Sequence, residues 1–162
     1  MRMGNKKTLP TLHGLEHRVR ATGFFMKTDK QPTILLIENH DLNAKTYQGF
    51  LKKEPVNFIH LLTGVAALAH LQQSVPDVIL LDLGLADMDA MDILKHVQQL
   101  ECAVIILSSP DTAAVVDDAM CEGAYDFIEK PFNARRLIVT LHNALRQHQL
   151  SQATDFIELN NN

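Results

Sequence analysis

Between residues 33 and 145, five short apolar runs alternate with amphipathic stretches, and this alternation limits the chain to very few architectures. The runs are Thr33-Ile-Leu-Leu-Ile37, Asn57-Phe-Ile-His-Leu61, Asp77-Val-Ile-Leu-Leu81, Ala103-Val-Ile-Ile-Leu107 and the short Asp126-Phe-Ile128, each of strand length. Most are apolar throughout rather than at every second position, the pattern of strands buried on both faces of a parallel sheet. Strand and helix in strict alternation predict an α/β doubly wound sheet with helices on both sides and right-handed crossovers. The clearest helix is the last. There Leu137, Ile138, Leu141, Ala144 and Leu145 make one stripe, with Arg135, Arg136, His142 and Arg146 opposite it. Asn133 stands where an N-cap belongs, and Gly123 where the preceding helix needs a C-terminal glycine.

In open sheets of this kind, ligands bind beyond the carboxyl ends of the strands. Glu38-Asn39-His40-Asp41 follow the first run, Asp82-Leu83-Gly84 the third, Ser108-Ser109 the fourth and Glu129-Lys130-Pro131 the fifth. Two carboxylates, an amide, a hydroxyl and an ammonium would therefore converge on one crevice, with Asp82 at its centre. These are the parts of a phosphoryl site. A hard cation such as Mg2+ takes one or two carboxylates, a backbone carbonyl and waters, while lysine and a hydroxyl hold phosphoryl oxygens.

Composition narrows the setting. The chain has 162 residues, 46% hydrophobic and 21% charged, which suits one folded domain with a short appendage. No apolar stretch approaches the roughly 20 residues of a membrane span, and Met1–Lys7 is followed by no apolar signal segment. A cytoplasmic protein without membrane association is expected. Cys102 and Cys121 form no metal or redox motif. The net charge of −4 divides unevenly, residues 1–31 carrying +5 and the rest −9. An acidic body argues against direct DNA binding. Residues 1–31 read as a loose basic arm, and Met26, just before the first strand, is an alternative start. Residues 150–162 read as a short tail too small for an output domain.

The residues at the strand ends also carry a resemblance. Ile34-Leu-Leu-Ile-Glu38-Asn39, Pro76 to Asp92, Ile106-Leu-Ser108-Ser109 and Gly123-Ala-Tyr-Asp-Phe-Ile-Glu-Lys130-Pro-Phe132 have the order and spacing of bacterial response-regulator receiver domains of the CheY-like superfamily. The stretch from Asp126 to Arg146 is most similar to receivers of sigma-54-dependent activators of the LuxO/NtrC type, here without their output domains. The resemblance covers residues 32–149 and implies a flavodoxin-like (βα)5 fold with strand order 2-1-3-4-5. It implies that Asp82 accepts a phosphoryl group from a sensor histidine kinase or phosphotransfer protein and later loses it by slow self-catalysed hydrolysis. Lys130 and Ser108 would hold the phosphoryl oxygens, and Phe127 would be the aromatic that reports the switched state. Glu38, Asn39, Asp82 and the Gly84 carbonyl would hold Mg2+. Signalling would pass through the face built from the fourth helix, fifth strand and fifth helix, to a downstream protein or a second copy of the chain.

Four positions depart from that pattern. Asn39 replaces the acidic residue that normally ligates the metal; a charge lost about 4 Å from the ion forfeits up to about 4 kcal/mol at an effective dielectric near 20, so weak Mg2+ binding is expected. Ala86 and Ala90 stand where proline and glycine are usual, and if position 90 needs positive φ the loop must shift. Ser109 stands beside the switch hydroxyl, where its oxygen would narrow access. Asp87, Asp89 and Asp92 read as a solvated acidic loop capping a helix, Asp41 as the cap of the first helix, and His40 as an exposed residue whose titration would modulate the local charge; His60, His70, His96, His142 and His148 share no ligand spacing and are assigned no chemistry. The competing reading, motivated by Asn39, Ala86 and Ala90, is a pseudo-receiver that docks a partner independently of phosphate. An unrelated flavodoxin-like binding domain would have no need of Ser108 and Lys130 at these places.

Overall fold

The computed structural model describes residues 30–160; the basic arm lies outside them apart from its last two residues. Five strands, β1 (Thr33–Ile37), β2 (Asn57–Leu61), β3 (Val78–Asp82), β4 (Ala103–Ser108) and β5 (Asp126–Glu129), alternate with helices α1 (Asp41–Phe50), α2 (Gly64–Leu71), α3 (Ala90–Val97), α4 (Ala113–Cys121) and α5 (Ala134–Asn160). All strands pair in parallel, and the sheet order is β2-β1-β3-β4-β5. This is the expected flavodoxin-like order, with β1 and β3 side by side and the reversal of winding between them.

The sheet divides the core in two because successive strand side chains point to opposite faces. Ile34, Leu36, Leu80, Ile105 and Leu107 pack with Tyr47 of α1 and with Leu137, Leu141 and Leu145 of α5. On the other face Leu35, Ile37, Ile79, Leu81 and Ile106 meet Leu71 of α2, Ile93 and Leu94 of α3, and Ala119 of α4. The central strand β3 is buried over its whole length.

The strand bounds differ from the sequence reading at their carboxyl ends. β3, β4 and β5 each run one residue further, so Asp82, Ser108 and Glu129 are their final residues. The ladder extends that far because Asp82 pairs with Leu107 and Ser108 with Glu129. Asp77 in turn lies outside β3, where its carboxylate accepts the Thr33 N–H at 2.7 Å and ties off the opposite end of the sheet.

The helix ends follow from their caps. Thr63 accepts from Ala66 N at 3.1 Å to start α2, Asp89 from Met91 N at 2.9 Å to start α3, and Asn133 from Arg136 N at 3.0 Å to start α5. Gly123, at φ +99°, closes α4 in the left-handed conformation that suits glycine. One expectation fails. Asp41 is not a cap but the first residue of α1, and the N-cap, His40, makes no side-chain capping bond. α5 runs on past residue 149 to Asn160, since residues 146–160 contain neither proline nor glycine to stop it. No helix among the described residues is long and apolar enough to cross a membrane.

Candidate functional site

β1, β3, β4 and β5 deliver Glu38, Asp82, Ser108 and Lys130 to one edge of the sheet. Glu38 follows β1 directly, its N–H held by Leu61 O at 3.2 Å, and it is fully buried. Asp82 and Ser108 are also buried. Lys130 leaves β5 with its N–H on Ser108 O at 2.7 Å, and the following Lys130–Pro131 peptide is cis. The Lys130 ammonium then bridges the two carboxylates, at 3.0 Å from Glu38 Oε2 and 3.1 Å from Asp82 Oδ1.

Each carboxylate has further partners. Asp82 Oδ1 also accepts the Gly84 N–H at 3.1 Å, while Oδ2 takes part in neither contact. Glu38 Oε1 accepts the His40 N–H at 3.0 Å and lies 3.1 Å from His40 Nδ1; Oε2 accepts Asn43 Nδ2 at 3.3 Å. His60, across β1 in β2, places Nε2 2.8 Å from the Glu38 carbonyl. Tyr47 of α1 stacks on Phe132 at 4.7 Å between ring centres and lies near enough to the cluster for the charges of Lys130, Glu38 and Asp82 to act on it.

The two carboxyls titrate in opposite directions although they share one ammonium. Burial pushes Asp82 up, and the Gly84 hydrogen bond and Lys130 do not offset it. Burial opposes Glu38 as well, but there the hydrogen bonds from Lys130 and His40 together prevail and hold it below the usual carboxylate range. Lys130 is raised: burial disfavours its charge, and the two carboxylates more than compensate.

The residues suit a divalent cation. Glu38, His40 and Asp82 each offer a ligand atom, all within 4.8 Å of one another, and Asn39 Oδ1 is buried without a hydrogen-bond partner, an acceptor with lone pairs to give. Gly84 lies beside the Asp82 carboxylate, so that a Cβ there would stand 3.7 Å from Oδ1.

The remaining expected residues fall into place or move out of it. Phe127 of β5 is 39% exposed, and with Ile128, Glu129, Pro131, Phe132 and Arg136 it lines a surface groove of about 610 Å3; Arg136 donates to its carbonyl at 3.0 Å. Ala90 opens α3 and is buried, so helical backbone and not positive φ is what this position adopts, and alanine is no strain there. Ser109 caps the 3-10 turn Pro110–Thr112, with its hydroxyl 3.4 Å from Thr112 Oγ1, which gives that oxygen a local role. Asp89 is the helix cap expected of the acidic loop, whereas Asp87 reaches across to α2 and accepts the Gly64 and Val65 N–H groups, both at 3.0 Å. His40, expected only to modulate the local charge, and His60, assigned no chemistry, both touch Glu38. The signal for His40 was its position two residues after a strand-end carboxylate; for His60 it was the placement of β2 beside β1.

A doubly wound sheet with a buried carboxylate on its central strand and a lysine reaching it from the last strand defines a signalling receiver. The chain belongs to the response regulator receiver domain family, which residues 34–142 match. The luminescence regulatory protein LuxO of Vibrio campbellii is 33% identical over 114 residues, 69% of this chain and 25% of that protein. The transcriptional regulatory protein KdpE of Mycobacterium tuberculosis is 32% identical over 121 residues, 74% of this chain and 50% of that one. Among solved structures, the signal receiver domain of a protein described as a LuxO repressor from Vibrio parahaemolyticus superposes with a TM-score of 0.73 at 32% identity, covering 77% of this chain and 98% of that one. NtrX from Brucella abortus gives a TM-score of 0.72 at 27% identity, over 79% and 30% of the two chains. The chain thus spans a quarter of LuxO and half of KdpE.

Proposed function

We propose that this chain is a phosphorelay receiver in which Asp82 is the phosphoacceptor. The observation that carries the reading is the arrangement of Asp82: a buried carboxylate with Oδ1 fixed by the Gly84 N–H and the Lys130 ammonium, leaving Oδ2 as the attacking oxygen. In line with the phosphohistidine of a sensor histidine kinase or phosphotransfer protein, Oδ2 forms a bond to phosphorus as the P–N bond breaks and the imidazole departs, giving an aspartyl phosphate. Such a transfer is mainly positioning and charge stabilisation. Lys130 is already placed to follow the negative charge to the phosphoryl oxygens, and Ser108, whose carbonyl holds Lys130, supplies a hydroxyl on the same side. Receivers in general bind Mg2+ at this acidic pocket. Here Glu38, Asp82, the Asn39 amide and the Gly84 carbonyl would hold the cation, which neutralises charge on the transferring group. Output passes through α4, β5 and α5, where Phe127 and its groove lie, to a downstream protein or a second copy; the setting is cytoplasmic.

Asn39 favours a second reading. With a neutral amide in that place and both carboxylates satisfied by Lys130, the same fold would serve as a docking module that works without phosphate. Acetyl phosphate, Mg2+ titration and intact mass separate the two. Uptake of one phosphoryl group by the wild-type chain, lost in Asp82→Ala, supports the receiver. Absence of uptake that Asn39→Asp restores supports the docking module.

A further inference from the structure

We propose that the cation pocket is selective for a divalent transition ion that accepts nitrogen, of the Co2+, Ni2+ and Zn2+ class, over Mg2+, because His40 supplies Nδ1 as a ligand where the chain has lost a carboxylate. The proposal rests on the pocket read above as the receiver's cation site, and it names the ion class that this chain's own donors favour.

Three observations carry it. The first is geometric. His40 Nδ1 lies 3.1 Å from Glu38 Oε1, the spacing of about 3 Å that neighbouring ligands adopt at about 2.1 Å from one ion. Glu38, His40 and Asp82 ligand atoms lie within 4.8 Å of one another, against about 4.2 Å for ligands opposed across such an ion, so a contraction of at most about 0.6 Å brings all three into one shell.

The second is that the His40 side chain turns to Glu38, while its backbone carbonyl accepts the Ala44 N–H of α1 at 3.1 Å. His40 occupies the N-cap of α1 without a side-chain capping bond, and both its N–H and its ring nitrogen face Glu38 Oε1. His60 Nε2, 2.8 Å from the Glu38 carbonyl, steadies the segment from β2. The His40 side chain is 67% exposed, which gives an ion a direct path from solvent. Lys130 takes Glu38 Oε2, so Glu38 Oε1, which the His40 ring nitrogen faces, can meet an ion with the lysine in place, while Asp82 can share Oδ1 between the lysine and the ion and keep Oδ2 for phosphoryl attack.

The third is charge. Glu38, Asp82 and Lys130 together carry one net negative charge, and Asn39 adds none; its buried Oδ1, without a partner, is a neutral acceptor. Mg2+ gives up its waters reluctantly and relies on anionic oxygen, so it loses most from the missing carboxylate. A borderline ion gains from the imidazole nitrogen what it loses in charge.

The test is equilibrium binding to the tag-free full chain, read by Co2+ electronic absorption and by Mg2+ competition, in wild type, His40→Ala and Asn39→Asp. The expected result is one Co2+ site at least about tenfold tighter than Mg2+, weakened about tenfold or more by His40→Ala with Mg2+ affinity unchanged. Asn39→Asp should tighten Mg2+ and narrow the preference. Co2+ affinity untouched by His40→Ala, or Mg2+ affinity falling in parallel with it, overturns the proposal. Phosphate uptake is a separate readout. A His40-dependent Co2+ site in a chain that never takes phosphate counts against the receiver reading alone, and uptake with no His40 dependence of metal counts against this proposal alone.

Discussion

Glu38 and Asp82 share the Lys130 ammonium at nearly equal distances, yet the fold treats their charges oppositely. Asp82 sits in the ladder of the central strand, where burial raises its pKa. A carboxyl raised in the fold contributes stability that is complete below its unfolded value and is lost as pH rises through the folded one. Ionised Asp82 is therefore a destabilising group at neutral pH. Asp82→Asn should raise the thermal midpoint at pH 7, and the gain should vanish in acid; a midpoint that falls at pH 7 would contradict this. Glu38 is lowered by Lys130 and His40 against its own burial, so its contribution is present above the unfolded pKa and disappears as pH falls through the folded one. Glu38→Gln should lower the midpoint at pH 7, and by less in acid, as thermal melts across pH would show. Much of this cluster was legible from sequence, because Glu38, Asp82, Ser108 and Lys130 each stand at the end of an apolar run. His40 was not, since a lone histidine beyond a strand carries no periodic signal and its partner is fixed only by side-chain geometry.

Among the elements, β3 carries the most. Leu80 is fully buried between β1 and β4 on the α1–α5 face. Leu80→Ala should cost about 2–5 kcal/mol by loss of burial and cavity formation, measurable by urea denaturation; a cost under about 1 kcal/mol would mean that the core there collapses freely. At the start of α5, Asn133 Oδ1 accepts from Arg136 N, and Asn133→Ala should cost about 1 kcal/mol in the same assay. The helix starts were readable where a short polar residue precedes an apolar stripe, as at Asn133 and Asp89. The end of α5 was not, because its apolar stripe thins after Leu145 while nothing in the sequence breaks the helix. Asp87 binds a helix start, as the acidic loop was expected to, but which helix was not legible. Its partners, Gly64 and Val65, open α2, and a contact between a loop and a helix distant in sequence leaves no local pattern.

For the molecule as a whole, the parallel sheet separates the buried Glu38, Asp82 and Lys130 cluster from the exposed surface around Phe127 proposed for output, and β5 joins them. Lys130 is tied to Ser108 at one end of that strand, and Phe127, three residues earlier, is exposed on the other side of the same short segment. Movement of Lys130 from a carboxylate to a phosphoryl group would act on β5 directly, which is how a charge change at the site can bias a surface. The fold class was legible because five apolar runs alternating with helices have few ways to pack, and the strand order followed only from the resemblance at the strand ends; the output partner was not legible, because an exposed surface imposes no periodicity on the sequence. All of this depends on where phosphate is placed. The most direct measurement is to treat the full chain with acetyl phosphate, reduce the product with borohydride and map the modified residue by peptide mass. The account expects the reduced acyl phosphate at Asp82 alone. Modification at a different carboxylate, with Asp82 intact, would contradict it.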